Sequence, residues 1–184
     1  MILVLPLSFI LPTPLGWENG PLENSQVVIL LIAMLLNLYW FYKKKHLFQL
    51  TASGAFLLLA GREVNWGRCF FPIGMGPDGP IFIPMEQFPH HTMINTVIGI
   101  MLVIVLIGVI FTTPWKKIIV RRLFPVKLFI FACICTIFSL IGDSSRLFSD
   151  AQGELVEEQG ELLLYFLLLH VSVYYYYFLN IDDQ

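Results

Sequence analysis

The sequence has 184 residues, of which 57% are hydrophobic and only 13% charged, with a mean hydropathy of +0.76 and a formal net charge of −2. Soluble domains carry about 25% charged residues, so this composition excludes an ordinary soluble domain and predicts one integral membrane domain covering residues 1–184. The nearly neutral charge also excludes a nucleic-acid-binding protein, which would need a strongly basic surface.

The first 21 residues are apolar but lack the pattern of a membrane span. The stretch MILVLPLSFILPTPLG has no basic residue ahead of its apolar run, and three prolines interrupt it. A secretory signal needs a basic start, and a span needs roughly 20 apolar residues. The sequence therefore predicts that residues 1–21 form an apolar arm that lies on the membrane or dips into it.

Five later segments are long and apolar enough to cross a bilayer. They cover residues 22–42, 47–66, 91–113, 125–145 and 156–178. The predicted fold is therefore all-α, a polytopic membrane helix bundle with about five transmembrane helices. Between the second and third spans, residues 67–90 are rich in glycine, proline and apolar side chains, which favours a loop or a lid over the helix ends.

Basic residues indicate how the spans are oriented. Two clusters, at 43–45 after the first span and at 116–127 between the third and fourth spans, hold eight of the eleven lysines and arginines. Both clusters fall on the same side of a five-span bundle, and the positive-inside rule makes that side cytoplasmic. The N-terminus, the arm and the 67–90 loop are then outside, and the C-terminus is inside.

Acidic residues concentrate on the opposite, outer side. Eleven of the thirteen aspartates and glutamates lie there, together with the three remaining arginines, Arg62, Arg68 and Arg146. Ionisable residues within spans are rare and usually face the interior of a bundle. The sequence therefore predicts one mixed, mainly acidic polar region at the outer boundary.

The last span begins with a stripe of four glutamates. They are Glu154, Glu157, Glu158 and Glu161, and their i, i+3, i+4, i+7 spacing places them on one helical face, which Tyr165 continues. The first two suit a helix N-terminus, where the macrodipole favours acids. Glu158 and Glu161 lie further into the span, where acids usually mark function, so they are the candidate acid/base or ligating groups.

Arg62 and Glu63 end the second span and point about 100° apart on the helix. We expect each to find its partner on another helix: Arg62 a glutamate of the last span, and Glu63 either Arg68 or Arg146. A purely structural ion-pair lock is the alternative. Trp66 follows one turn after Arg62 and fits an interfacial anchor or a ligand-binding side chain.

Two further groups belong to the predicted outer region. Asp143 and Arg146 are three residues apart at the end of the fourth span, where they can pair locally or take part in a site. His90 and His91 begin the third span and are candidates, with a carboxylate such as Glu158, for binding a divalent metal or shuttling protons. No His-x-x-x-His spacing supports the metal.

Three motifs occur in order along the chain: ENGPLENSQ at the first span, GREVNWGR at the end of the second, and GDSSRLFSDAQGELVEEQGELL between the fourth and fifth. This order resembles a family of small, uncharacterised bacterial polytopic inner-membrane proteins with E-x-G-x-x-E, R-E-x-x-W-G-R and E-E-x-x-E-L motifs. The resemblance implies a multi-pass protein of the bacterial inner membrane.

The resemblance also implies which positions are shared with the family. They are Glu18, Glu23, Arg62, Glu63, Trp66, Gly67, Arg68, Asp143, Glu157, Glu158 and Glu161. It implies no mechanism. Related motifs can have two acids where this chain has Arg62 and Glu63, which argues against two-carboxylate chemistry at that position.

The sequence leaves three functions open, and none of the common catalytic motifs decides whether the protein is an enzyme. In the first, an outward-facing pocket binds or modifies a lipid-linked or anionic small molecule. Its acid/base and orienting groups would be Glu158, Glu161, Glu63 and Asp143, and its ligand-binding groups Arg62, Arg68, Arg146 and Trp66. In the second, the chain is a transporter or ion-coupling protein with Glu161 as proton carrier. In the third, it is a structural or assembly subunit whose ion pairs lock helices together.

Overall fold

The computed structural model describes residues 4–76, 79–144 and 148–180. Its α-helices are α1 (Val4–Ser8), α2 (Pro21–Lys44), α3 (Leu47–Glu63), α4 (His91–Thr112), α5 (Trp115–Val120), α6 (Val126–Asp143) and α7 (Asp150–Asn180). Strands β1 (Pro72–Gly76) and β2 (Gly79–Phe82) form one antiparallel hairpin, and short 3-10 helices cover Thr13–Leu15, Asn65–Phe70 and Met85–Gln87. Since 78% of the structure is helical, the predicted all-α class is confirmed.

Four of these helices, α2, α4, α6 and α7, are long and apolar enough to cross a membrane, judged by length and composition. The second predicted span, α3, has 17 residues. At a rise of 1.5 Å per residue it is about 26 Å long, against a hydrocarbon core of about 30 Å. The length and composition of its helices therefore identify the chain as a membrane protein. Helix α3 is close to the shortest length that could form a fifth span.

The helix α3 ends three residues before the predicted boundary because the backbone reverses its hand. Asn65, Trp66 and Gly67 have φ angles of 46°, 52° and 94°, which belong to the left-handed region that a helix cannot contain. The Trp66 ring folds back onto Gly61, where an added Cβ atom would stand only 2.5 Å from a ring carbon. The reversal thus ends α3 at Glu63 and leaves Arg62 and Glu63 in its last turn.

The centre of the bundle consists of three helices. Helix α2 packs against both α3 and α7, while α4 packs on α3 and α6 packs on α7. The buried core between the three central helices consists of Leu30, Ala33, Phe56, Ala60 and Tyr165. Helices α2 and α7 run in one direction and α3 in the other, so the start of α2, the end of α3 and the start of α7 meet at one end of the bundle.

Glycines allow α6 and α7 to approach each other closely. A Cβ atom added to Gly142 would stand 2.6 Å from the Glu157 nitrogen and 2.6 Å from the Gly153 oxygen. One added to Gly160 would stand 3.0 Å from the Ser139 nitrogen. These neighbours are backbone atoms, so only a separation of the helices would relieve the overlap. Small residues at helix contacts serve this purpose in membranes.

We predict that Gly142→Ala destabilises the protein by about 1–3 kcal/mol, because overpacking forces backbone shifts. Thermal unfolding of the purified protein in detergent measures the effect as a lower Tm. The matched control is Gly99→Ala on α4, where an added Cβ meets no atom within 4 Å and alanine favours the helix by about 1 kcal/mol. Equal Tm values for the two variants would contradict the close contact of α6 and α7.

Candidate functional site

Polar side chains from four helices meet at the end of the bundle where α2 and α7 begin. We call this set the polar centre; its members are Glu23, Gln26, Arg62, Glu63, Ser139, Glu158, Glu161 and Tyr165. The antiparallel arrangement brings them together, because α3 and α6 end where α2 and α7 begin. Most members contact a neighbouring helix, whereas Glu23 also accepts a hydrogen bond from Asn19 in the loop ahead of α2.

Arg62 joins α3 to α7. Its Nη2 atom lies 2.5 Å from Glu161 Oε1, its Nη1 donates to the Tyr165 hydroxyl at 3.4 Å, and its Nε lies 3.6 Å from Glu63 Oε1. The Arg62 side chain is 57% exposed, whereas that of Glu161 is 9% exposed. The predicted pairing of Arg62 with a glutamate of the last span is thus confirmed, and the guanidinium is the accessible partner.

Tyr165 and Ser139 extend the same network. The Tyr165 hydroxyl donates to Glu63 Oε1 at 2.7 Å, and the Ser139 hydroxyl donates to Glu161 Oε1 at 3.4 Å. Tyr165 is almost completely buried, with 1% of its surface exposed. Glu63 and Glu161 are therefore held by uncharged hydroxyl groups as well as by Arg62.

A separate pair of contacts connects α2 to α7. Gln26 Nε2 donates to the Glu158 backbone oxygen at 3.0 Å and to Glu158 Oε2 at 2.6 Å. Both partners are acceptors, so the orientation of the amide is determined by its surroundings. Gln26 is fully buried, and its Oε1 atom has no hydrogen-bond partner among the described residues. Nearby, a Glu23 carboxylate oxygen accepts the backbone N–H of Asn19.

The polar centre contains far more negative than positive groups. Its carboxyl groups belong to Glu23, Glu63, Glu158 and Glu161, and Arg62 is the one cation among its described members. Unpaired charges in apolar surroundings are expensive, so four ionised carboxylates around one guanidinium would leave a large uncompensated charge. The arrangement therefore demands protons or a bound cation.

A cavity of about 290 Å³ opens beside the polar centre. The residues that line it are Gly16, Glu18, Gly142, Asp143, Asp150, Glu154, Glu157 and Glu158. Glu158 belongs to both the cavity and the polar centre, because it lines the one and bonds to Gln26 in the other. The glutamate stripe is thus divided: three members face the cavity, whereas Glu161 faces Arg62 and Ser139.

Several predicted partners lie elsewhere. Glu63 is bonded to Tyr165 and Arg62, so its predicted pairing with Arg68 is wrong; Arg68 Nε instead donates to the Ile83 backbone oxygen at 2.9 Å. Arg146 lies outside the described residues. The Arg68 alternative failed because the sequence could not show that the chain after Glu63 turns toward the β-hairpin. The Arg146 alternative stays a prediction.

The other candidate ligands occupy the border of the site. Asp143 is exposed at the cavity, and Trp66 covers Gly61 on α3. His90 is exposed and His91 is half-buried at the start of α4. Within residues 4–76, 79–144 and 148–180, no group of three or more histidine, cysteine, aspartate or glutamate side chains is placed to hold a metal. Metal binding therefore stays a prediction without structural support.

The acidic groups also affect the thiol of Cys69, which lies outside the spans. Its side chain is buried in the 3-10 helix Asn65–Phe70. Burial raises the pKa of the thiol, and the charge of Glu23 raises it further. The thiol form is therefore favoured, and a reactive thiolate at Cys69 is disfavoured.

Four members of the polar centre were absent from the predicted site: Glu23, Gln26, Ser139 and Tyr165. Tyr165 carried a usable signal, since it follows Glu161 by four residues on one helix face. Gln26 ends the polar ENSQ segment directly before the apolar run of α2, so it gave no signal of an interior role. Ser139 carried no signal, because serine is common in membrane helices.

No protein-family model matches the chain, and no similar protein was found among curated proteins or among solved structures.

We predict that Arg62→Met lowers the free energy of unfolding by about 1–3 kcal/mol, because it leaves buried carboxyl groups without their charged partner. Glu161→Gln should cost less, since the exposed guanidinium that remains is solvated. The double variant should be clearly more stable than the sum of both losses, by about 0.5 kcal/mol or more. Denaturant unfolding in micelles measures all four proteins, and strictly additive losses would show that the pair does not interact.

Proposed function

We propose that the protein is an integral membrane ion-coupling protein in which the Glu158 carboxyl group takes up and releases a proton. The observation that carries the proposal is the double position of Glu158. Its side chain lines the acidic cavity, and its Oε2 atom is bonded to the buried Gln26 amide. It can therefore exchange a proton with the cavity while it remains connected to the bundle interior.

The contacts of the two inner glutamates favour Glu158 over Glu161 as the carrier. Arg62 lies 2.5 Å from Glu161, so the charged form of Glu161 is compensated. Among the described residues, none forms an ion pair with Glu158. The charged form of Glu158 is thus not compensated by a direct ion pair, so uptake of a proton relieves an uncompensated charge there and not at Glu161.

Charged and titratable groups surround Glu158 from every neighbouring element. They are Glu18 ahead of α2, Glu23 on α2, Glu63 on α3, Asp143 on α6, and Asp150, Glu154, Glu157 and Glu161 on α7, with Arg62 paired to Glu161 and Glu63. Nearly all are acidic, so they attract protons and cations toward the cavity and repel anions. The anionic or lipid-linked ligand predicted from the sequence therefore has less support than the ion-coupling function.

A structural role is the second candidate, because one observation favours it. The Arg62–Glu161 pair and the Tyr165–Glu63 hydrogen bond connect α3 to α7 within the buried part of the bundle. Such a lock would suit an assembly subunit without ion coupling. In that case a substitution at Glu158 would alter stability alone, and no proton would exchange at that position.

The membrane and the orientation belong to the same proposal. We place the chain in the bacterial inner membrane with its N-terminus outside, on the support of the three sequence motifs and of the basic clusters at 43–45 and 116–127. The polar centre and its cavity then face the periplasm, which is the positive side of an energised inner membrane. Protons would enter the cavity from that side.

We predict that Glu158→Gln removes a protonated-carboxyl signal from the infrared difference spectrum recorded between mildly acidic and strongly alkaline solution. The purified protein in detergent is the sample, and glutamine preserves the shape of the side chain while it abolishes titration. The matched control is Glu86→Gln, at an exposed acid of the loop before α4, which should leave the signal unchanged. Identical spectra for the wild type and Glu158→Gln would refute proton exchange at Glu158.

We predict that cysteines introduced on a cysteine-free background report the proposed orientation. A membrane-impermeant maleimide added to intact cells should label Glu86→Cys, whereas Lys44→Cys should react only after the membrane is permeabilised. Both positions are exposed in the structure, so access to the reagent depends on the side of the membrane. The reverse labelling pattern would overturn the N-outside orientation.

A further inference from the structure

A second polar cluster lies on the same three-helix interface as the polar centre, nearer its other end. We call it the distal cluster; its members are Asn37 on α2, Gln49 and Ser53 on α3, and Ser172 on α7. The Ser172 hydroxyl donates to Asn37 Oδ1 at 2.8 Å, and Asn37 Nδ2 donates to the Ala33 oxygen at 2.8 Å. The Ser53 hydroxyl donates to the Met34 oxygen at 3.0 Å. All four side chains are buried.

The two polar sets are separated by an apolar plug, which is the core set Leu30, Ala33, Phe56 and Ala60 together with the Tyr165 ring. The order is the same on each helix. Along α2 the chain passes from Gln26 through the plug to Asn37, eleven residues later, which is about 16 Å at 1.5 Å per residue. The α2–α3–α7 interface therefore carries polar groups at both ends and apolar ones between them.

Helix association alone does not account for this distribution. Hydroxyl and amide groups commonly bond across membrane helices, and that role explains Asn37, Ser53 and Ser172. It does not explain two carbonyl oxygens, Gln26 Oε1 and Gln49 Oε1, which are buried without a hydrogen-bond partner in the described part of the chain. An unsatisfied buried acceptor costs about 1–3 kcal/mol, so each of these oxygens is expected to bind a polar guest such as water.

The positions of these two oxygens indicate what they serve. One belongs to the polar centre and the other to the distal cluster, so they lie on opposite sides of the plug. Each can accept a hydrogen bond from a water molecule or a hydronium ion. Both amides are at least 98% buried, because Gln26 is 0% and Gln49 2% exposed.

We propose that the α2–α3–α7 interface is a proton-transfer path that the apolar plug keeps closed at rest. A proton from water at the cavity binds the Glu158 carboxylate, and it leaves that oxygen for water that crosses the plug when Leu30 and Phe56 move apart. The Gln49 oxygen accepts a hydrogen bond from this water, and the proton passes to bulk water beyond the distal cluster. One proton enters and one leaves, so the transfer needs no oxidant or co-reactant. The path rests on the proposed function of Glu158.

The test is proton flux into liposomes that contain the purified full chain, a trapped pH-sensitive dye and an imposed potassium diffusion potential. Gln49→Leu should reduce the flux about tenfold, which corresponds to a barrier increase of about 1.4 kcal/mol. The matched control, Gln87→Leu, changes an exposed glutamine of the loop before α4 and should match the wild type. Ala33→Ser adds a hydroxyl to the plug and should increase the flux several-fold.

The outcomes separate the path from the proposed function. If wild-type flux does not exceed that of protein-free liposomes, or if Gln49→Leu and Gln49→Met conduct as well as the wild type, the path is overturned. The carboxyl signal of Glu158 in the infrared spectrum is unaffected by that result, and its own absence would refute the proposed function. Gln49→Met provides a second variant of similar length should Gln49→Leu fail to accumulate, and Ala33→Ser tests the plug independently of both.

Discussion

Arg62 lies where the end of α3 meets the start of α7, and its guanidinium group serves two buried carboxyl groups, those of Glu161 and Glu63. The polar centre contains four carboxyl groups, and Arg62 is the one cation among its described members. Because an uncompensated charge in an apolar bundle is expensive, the remaining carboxyl groups must hold protons or attract cations. The chemistry proposed for Glu158 follows from this shortage of positive charge.

The shortage of positive charge follows from the way the helices are arranged. Antiparallel neighbours bring the ends of α3 and α6 to the beginnings of α2 and α7, and acids are concentrated at those four positions. The glycine contact between α6 and α7 places Ser139 within reach of Glu161. Below the polar centre, the apolar plug isolates the charges from the distal cluster, so the same three helices hold the acids and close the route beyond them.

The sequence predicted the parts of this arrangement that depend on hydropathy and helical spacing. It indicated the all-α class, the glutamate stripe of α7 and the pairing of Arg62 with that helix. It could not predict how each helix is rotated about its axis, which decides that Glu158 faces Gln26 while Glu161 faces Arg62. The early end of α3 escaped prediction because it depends on consecutive left-handed residues, two of them not glycine.

Proton counting tests the central claim most directly. In an unbuffered solution of the detergent-solubilised protein, a pH change from mildly acidic to strongly alkaline solution should release about one proton fewer from Glu158→Gln than from the wild type, since the variant lacks one exchanging group. The Arg62–Glu161 pair should be retained in that variant, so its stability should stay close to that of the wild type. Equal proton release from the two proteins would show that Glu158 does not exchange a proton and would contradict the account.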